Sequence, residues 1–332
     1  MTSFFFECYN IQLKKQALGV GHWALGRKFA SYKSREVSQT QHKAHIYIAA
    51  ILAMVFWGMS FIWTSIVFEY YQPITTIFLR LVISTIFLFL LLAVSGYLTK
   101  IRREHWLLFM ISALFNPFLY FLGENFGLKY STASISAVVI ATIPVLTPLA
   151  AWFMIREKIS YLNIAGIFIS FAGIMVMLVN PDLSFATNPR GIILLLLAVI
   201  SAVIYSILLK KLTTHYSPMN IIAWQNLIGA LLFLPLFLFI DFGDFLTVEP
   251  DARLFYALIS LAILASSLAY ILFAFTIRNL GVNRANVYSN LIPVITAIAS
   301  YYILEEIFTA KKVAGIIIII TGVITTQMNK YK

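Results

Sequence analysis

Two charged residues lie inside long apolar runs of this chain, and both could do chemistry. Arg80 sits seven residues beyond Pro73, about 10 Å along a helix at 1.5 Å per residue. An arginine at depth in hydrocarbon costs from about 3 to above 10 kcal/mol, so it must face a cavity or a partner. Two roles are open to it. It can bind an anion such as a carboxylate, or it can pair with a carboxylate or backbone carbonyls and lock two helices together. Glu124 is the one acid inside an apolar run, three or four residues from the following loop. It can reach solvent, neutralise Arg80, or act as a proton-coupling group if burial favours its protonated form.

The remaining polar groups are neutral. Asn116 precedes Pro117, a pair that can free backbone carbonyls or simply kink a helix, because proline donates no hydrogen bond. Asn286 and Asn290 are four apart just before Pro293, and Ser201 and Tyr205 are likewise four apart. Such pairs can line a cavity or bond across helices. Trp57, Trp63 and Tyr120 can offer stacking surfaces or ordinary packing, and Ser60 lies one helical turn from Trp57.

Catalytic constellations are missing from the sequence. The histidines, His22, His42, His45, His105 and His215, all lie outside the apolar runs. There is no His-Glu-x-x-His helix for a metal, no Gly-x-Ser-x-Gly elbow and no Gly-Lys-Ser/Thr phosphate loop. The sequence therefore predicts no enzyme, no metal, no cofactor and no ATP drive. Cys8 is the single cysteine, which excludes a disulfide scaffold.

The elements that must position these groups follow from composition. Of 332 residues, 61% are hydrophobic and 11% charged, and the mean hydropathy is +0.89. Soluble domains are about 45–50% apolar and about 25% charged. The chain reads as an all-α polytopic membrane protein. Its net charge of +11 reflects loop placement along a bilayer rather than nucleic-acid binding. A bilayer core needs about 20 apolar residues per helix. The first five such runs are 46–67, 74–95, 106–127, 132–154 and 161–180. The second five are 191–209, 219–240, 254–277, 286–304 and 312–327. Residues 1–45 are basic and polar and read as a flexible cytoplasmic tail, with neither a signal peptide nor a nucleotide fingerprint around Gly19–Gly21.

Placing the N-terminus inside gathers most Lys and Arg on that side. The tail, Lys100, Arg102, Arg103, Arg156, Lys158, Lys210, Lys211, Arg278, Arg284, Lys330 and Lys332 fall there. Lys129, Arg190, Arg253, Lys311 and Lys312 fall outside. The positive-inside rule then puts both termini in the cytoplasm.

Residues 46–180 and 190–327 also resemble each other. At an offset of 145, Leu52, Ala53 and Pro73 meet Leu197, Ala198 and Pro218. At an offset of 149, Pro144, Glu157, Gly166 and Gly173 meet Pro293, Glu306, Gly315 and Gly322. The offset pairs Arg80 with the neutral Gln225. A unit of five helices is odd, so the second copy must enter the membrane the other way up. Inverted repeats are the usual build of secondary transporters, with the solute site near the midplane between the halves.

The motifs carry a resemblance. Phe56-Trp57-Gly58-Met59-Ser60-Phe61, Pro73 with Phe78-Leu79-Arg80-Leu81, Leu128-Lys129-Tyr130-Ser131-Thr132-Ala133, and Pro144-Val145 followed by Glu157, Gly166 and Gly173 are similar to the EamA type of the drug/metabolite transporter superfamily. The resemblance spans about residues 46–327. It implies ten helices in two inverted five-helix halves, alternating access, and movement of small metabolites, commonly export of amino acids and related solutes. The expectation is a plasma-membrane exporter of an amino-acid-like solute. The coupling ion is left open, with a proton as the candidate. The alternative is a drug or lipophilic-cation exporter of the same superfamily, and a scaffold or an intramembrane enzyme fits less well. The cavity residues expected are Trp57, Ser60, Arg80, Asn116, Tyr120, Glu124, Tyr205, Gln225, Asn286 and Asn290.

Overall fold

The computed structural model describes residues 22–155, 160–178, 188–307 and 309–327. The first 21 residues, Arg156, Glu157, Lys158, Lys330 and Lys332 lie outside the described residues. Contacts divide the chain into Met1–Tyr47 and Ile48–Lys332. The described part of the first unit is the start of helix α1 (His22–Val67), which begins within the stretch expected to be a flexible tail.

The elements of the second unit, among its described residues, are all helices. After α1 come α2 (Pro73–Ser95), α3 (Arg103–Lys129), α4 (Ala133–Ile140), α5 (Ile143–Ile155) and α6 (Tyr161–Leu178). Then follow α7 (Pro189–Leu212), α8 (Pro218–Phe245), α9 (Ala252–Leu280), α10 (Val282–Val287), α11 (Leu291–Ile303) and α12 (Ala310–Gln327). Among the described residues, six helical stretches are long and apolar enough to cross a bilayer: Ala44–Val67, α2, α3, α7, α8 and α9. Ala133–Thr147 and Ile164–Val176 are shorter apolar stretches. Val94 and Phe239 stand almost fully out from the bundle, as lipid-facing side chains do.

Local chemistry sets the ends. Pro73, Pro189 and Pro218 each open a helix at its first position, where the missing N–H costs nothing and the fixed φ suits the helix. Thr132, Ser217 and Asp251 accept from Ile135, Asn220 and Leu254 backbone N–H groups as N-caps. Gly96 ends α2 in the left-handed region at φ 69°.

The irregularities cluster mid-bundle. α3 kinks within Leu114–Leu119, where Asn116 leaves the helical region at φ −148°, ψ 118° ahead of Pro117. In α9 the segment Leu261–Leu268 is π-helical, with the Ser266 and Ser267 hydroxyls donating to the Leu261 and Ala262 carbonyls, each at 3.0 Å. Two of the expected continuous spans are in fact broken. The fourth parts between α4 and α5 just before Pro144, and the ninth passes through a 3-10 turn, Tyr288–Asn290, just before Pro293. In both, proline sits in the first turn of the following helix, where it is tolerated, and breaks the ladder ahead of it.

Small residues bring helices together. A side chain at Gly173 would meet the Gly315 carbonyl at 2.9 Å, and one at Gly322 would meet the Gly166 carbonyl at 2.7 Å. Numbering rises along α6 as it falls along α12, so the two helices run antiparallel. The pair α2 and α8 behaves alike: Asn226 Nδ2 donates to Ser84 Oγ at 2.6 Å, while a side chain at Gly229 would approach Leu81 at 3.3 Å.

Asp241, which directly follows the seventh apolar run, is buried at the end of a π-helical turn in α8. It accepts from the Thr75 backbone N–H at 3.0 Å and hydroxyl at 3.1 Å, so it caps the positive end of α2.

Candidate solute-binding cavity

A narrow cavity of about 30 Å³ lies where the irregular segments meet. Five aromatic side chains form much of its wall: Trp57 of α1, Tyr120 of α3, Tyr205 of α7, and Tyr270 and Phe273 of α9. Trp57 makes edge contacts with Tyr270 and Phe273, each with ring centroids 4.9 Å apart, and its Nε1 donates to the Ala265 carbonyl. The polar wall groups are Asn116, Ser206, Asn286 and Ser289. The extended backbone at Asn116 turns its amide toward α9, where Nδ2 donates to Tyr270 OH at 3.1 Å. Asn286 Nδ2 donates to Thr147 Oγ1 at 3.2 Å, joining α10 to α5. No charged residue is in the wall.

The residues singled out from sequence fall into two groups. Trp57, Asn116, Tyr120, Tyr205 and Asn286 line this cavity. Ser60, Arg80, Glu124, Gln225 and Asn290 stand outside its lining. Ser60 donates to the Trp57 carbonyl within α1. Asn290 lies in the 3-10 turn with its buried Oδ1 unbonded. Trp63 packs against the apolar core.

Two tyrosines connect the cavity to the groups behind it. Tyr120 OH donates to Glu124 Oε1 at 2.8 Å. Glu124 Oε2 lies 3.9 Å from Arg80 Nη1, an ion pair without a direct hydrogen bond. Arg80 is 1% exposed. Its Nε donates to Ser266 Oγ at 2.7 Å, and its guanidinium carbon sits 4.1 Å above the Phe121 ring. This arginine therefore ties α2 to α3 and α9. On the other side, Tyr205 OH donates to Gln225 Oε1 at 3.1 Å, and Gln225 Nε2 donates to Ser112 Oγ at 2.6 Å.

A separate carboxylate ties distant segments together at one end of the bundle. Glu305 takes the left-handed φ of 54°, closing α11 and turning Glu306 back toward α4. Glu306 accepts from Thr132 Oγ1 at 2.6 Å, from Ser134 Oγ at 2.9 Å and from Lys312 Nζ at 2.8 Å. Burial pushes its pKa up, but the Lys312 ammonium and the two hydroxyls outweigh burial and hold it below the usual carboxylate value. An open pocket beside it is lined by Glu69, Lys129, Thr132 and Glu306.

Tyr270, Phe273, Ser206 and Ser289 were not singled out from sequence. Tyr270 carried one usable signal, since it stands 149 residues after Phe121 and both rings pack near the Trp57–Arg80 region.

Apolar helices facing lipid around a buried aromatic and polar cavity define a multi-pass membrane protein of the transporter class. The EamA-like transporter family profile matches residues 45–179 and again 189–327, and the chain belongs to that family. An uncharacterized transporter of Archaeoglobus fulgidus is 28% identical over 295 residues, spanning 87% of this chain and 99% of the relative. The uncharacterized transporter YetK of Bacillus subtilis is 25% identical, spanning 92% and 94%. A probable amino-acid metabolite efflux pump of Salmonella typhimurium is 25% identical, spanning 82% and 91%. A crystal structure at 17% identity superposes with a TM-score of 0.65 over 86% of this chain and 98% of the other, a likeness of fold.

Proposed function

We propose that this protein is a secondary transporter that exports a small amino-acid-like metabolite across the plasma membrane by alternating access. In this reading ten helices form two inverted five-helix halves, residues 46–180 and 190–327, with α4–α5 and α10–α11 each counting as one broken helix. Both termini are cytoplasmic, following the Lys and Arg distribution, and Glu306 lies at the outer end.

The observation that carries the reading is the pairing across the cavity. Trp57 and Ala202, offset by 145, both line it, as do Ile140 with Ser289 and Ile143 with Ile292, offset by 149. Helix contacts follow the same rule. Gly173 meets Gly315 while Gly166 meets Gly322, and Ser84 meets Asn226 while Leu81 meets Gly229. Each contact becomes its partner contact when the halves are exchanged, which is the signature of a two-fold axis. Antiparallel mates support an axis in the membrane plane, and broken helices in corresponding positions support a solute site between the halves.

The wall suits a solute with a flat or apolar body and neutral or ammonium N–H donors. The relative described as a probable amino-acid metabolite efflux pump agrees with this class. The aromatic wall also favours a lipophilic cation, which is the second reading, although no carboxylate lines the cavity.

Thermal unfolding of the detergent-solubilised protein against amino acids, their amides and lipophilic cations tests the assignment. A bound solute at a hundred times its Kd stabilises by about 2.7 kcal/mol. The expected result is a shift with amino-acid-like compounds that disappears in Asn286→Ala. A shift with lipophilic cations alone selects the second reading.

A further inference from the structure

We propose that Glu124 is a proton-binding site, and that Tyr120 reports its protonation to the cavity by reversing the direction of one hydrogen bond. The inference rests on the cavity being the solute site. Glu124 is 8% exposed and stands one helical turn behind Tyr120, which is in the wall. The titratable groups facing it are Arg80 from α2, Tyr120 from α3 itself and Tyr270 from α9. From α7, the neighbour of this part of α3, come Leu194, Leu195 and Ala198, which are apolar.

Three features make the carboxylate able to exchange a proton without dismantling its surroundings. The Arg80 pair is open: at 3.9 Å no hydrogen bond must be broken for Oε2 to become neutral. Arg80 Nη1 is already buried without a hydrogen-bond partner. Arg80 also keeps two other supports, the Ser266 hydroxyl and the Phe121 ring, when the carboxylate is neutral. The cavity reaches Glu124 through the Tyr120 hydroxyl, one bond of 2.8 Å.

The switch balances as follows. With Glu124 ionised, Tyr120 gives its proton to the bond with Oε1, so its oxygen faces the cavity as an acceptor. When one proton arrives from the cavity, the carboxyl gains an O–H that donates to the Tyr120 oxygen. The Tyr120 O–H then turns into the cavity as a donor, and the corner carries the uncompensated charge of Arg80. A solute that presents ammonium or amide N–H donors binds the ionised form and is repelled by the protonated one. Proton and solute therefore exclude each other, the relation that a proton-driven exporter requires.

Infrared difference spectroscopy of the reconstituted full chain, titrated between about pH 5 and about pH 9, tests this with no solute present. Wild type should gain a protonated-carboxyl C=O band on acidification. The band should vanish in Glu124→Gln, move in frequency in Tyr120→Phe, and persist in Asp241→Asn. No band in wild type, or a full band in Glu124→Gln, overturns the proton site. An unmoved band in Tyr120→Phe overturns the link to the cavity, and that variant decides the matter if Glu124→Gln fails to fold. Because no solute enters the measurement, these failures are distinct from a failure of the transport reading in the thermal panel.

Discussion

The corner behind Tyr120 and the corner behind Tyr205 use the same device with different chemistry. In each, a wall tyrosine donates to a buried side chain, at 2.8 Å to Glu124 and at 3.1 Å to Gln225. In each, that side chain continues to a third group, Arg80 in one and Ser112 in the other. Arg80 and Gln225 occupy the same place in the two halves of the sequence. One corner holds a carboxyl and a guanidinium, the other an amide and a hydroxyl. Under the proposed switch the Tyr120 bond can reverse with the protonation of Glu124, whereas the Tyr205 bond to the Gln225 amide has no carboxyl to reverse it.

The largest test of this comparison removes the buried cation. Arg80→Gln makes the charged corner resemble the neutral one but leaves Glu124 without its counter-charge. Breaking a buried pair by removing one member costs about 3–5 kcal/mol, read as a fall in thermal unfolding temperature. The double variant Arg80→Gln with Glu124→Gln should recover part of that loss. If the double variant is as damaged as the single, the two corners are not equivalent frames.

Next in size is the close packing that relates the halves. Gly173→Val and Gly322→Val should each destabilise by about 1–3 kcal/mol through overpacking, because their sites meet the Gly315 and Gly166 carbonyls reciprocally. A large loss in one and none in the other would break the two-fold relation.

The tyrosines give a finer contrast. Tyr120→Phe removes a bond to a charged group and should cost about 1.5 kcal/mol or more. Tyr205→Phe removes a neutral bond, worth about 0.6 kcal/mol between helices in a membrane. Equal losses in thermal unfolding would mean that Glu124 is neutral under the conditions used.

The smallest effect is confined to acid. Glu306 is held below its usual value, so its contribution is fully present above about pH 4.3, the unfolded value. It is lost as pH falls through the folded value. Wild type should therefore lose more stability than Glu306→Gln when pH is lowered through that window, followed as unfolding temperature against pH.

Much of the fold could be read from the residues because its causes are local or compositional. Long apolar runs marked helices, and Pro73 and Pro218 marked where two of them begin. Pro144 and Pro293 were visible as repeat mates, yet the breaks ahead of them were read as continuous helix. Apolar run length carries no information about whether the backbone ladder is interrupted. Nothing in the neighbourhood of Asp241 announces that its carboxylate reaches the N-terminus of α2, 166 residues earlier.

The sequence by itself determined that this chain lives in a bilayer, belongs to a two-repeat transporter family, and carries an arginine and a glutamate in apolar surroundings. Hydropathy, periodic repeats and the cost of burying charge suffice for that. Only the tertiary structure decided which groups face the cavity and which stand behind it. It put Tyr120 in the wall, Glu124 behind Tyr120, and Arg80 beyond Glu124, against Ser266 and Phe121. It also brought in Tyr270 and Phe273 from α9, residues with no distinguishing local pattern. A helix fixes which residues share its own faces, whereas a site assembled from eight helices depends on how those faces rotate and cross, and that is set by long-range packing.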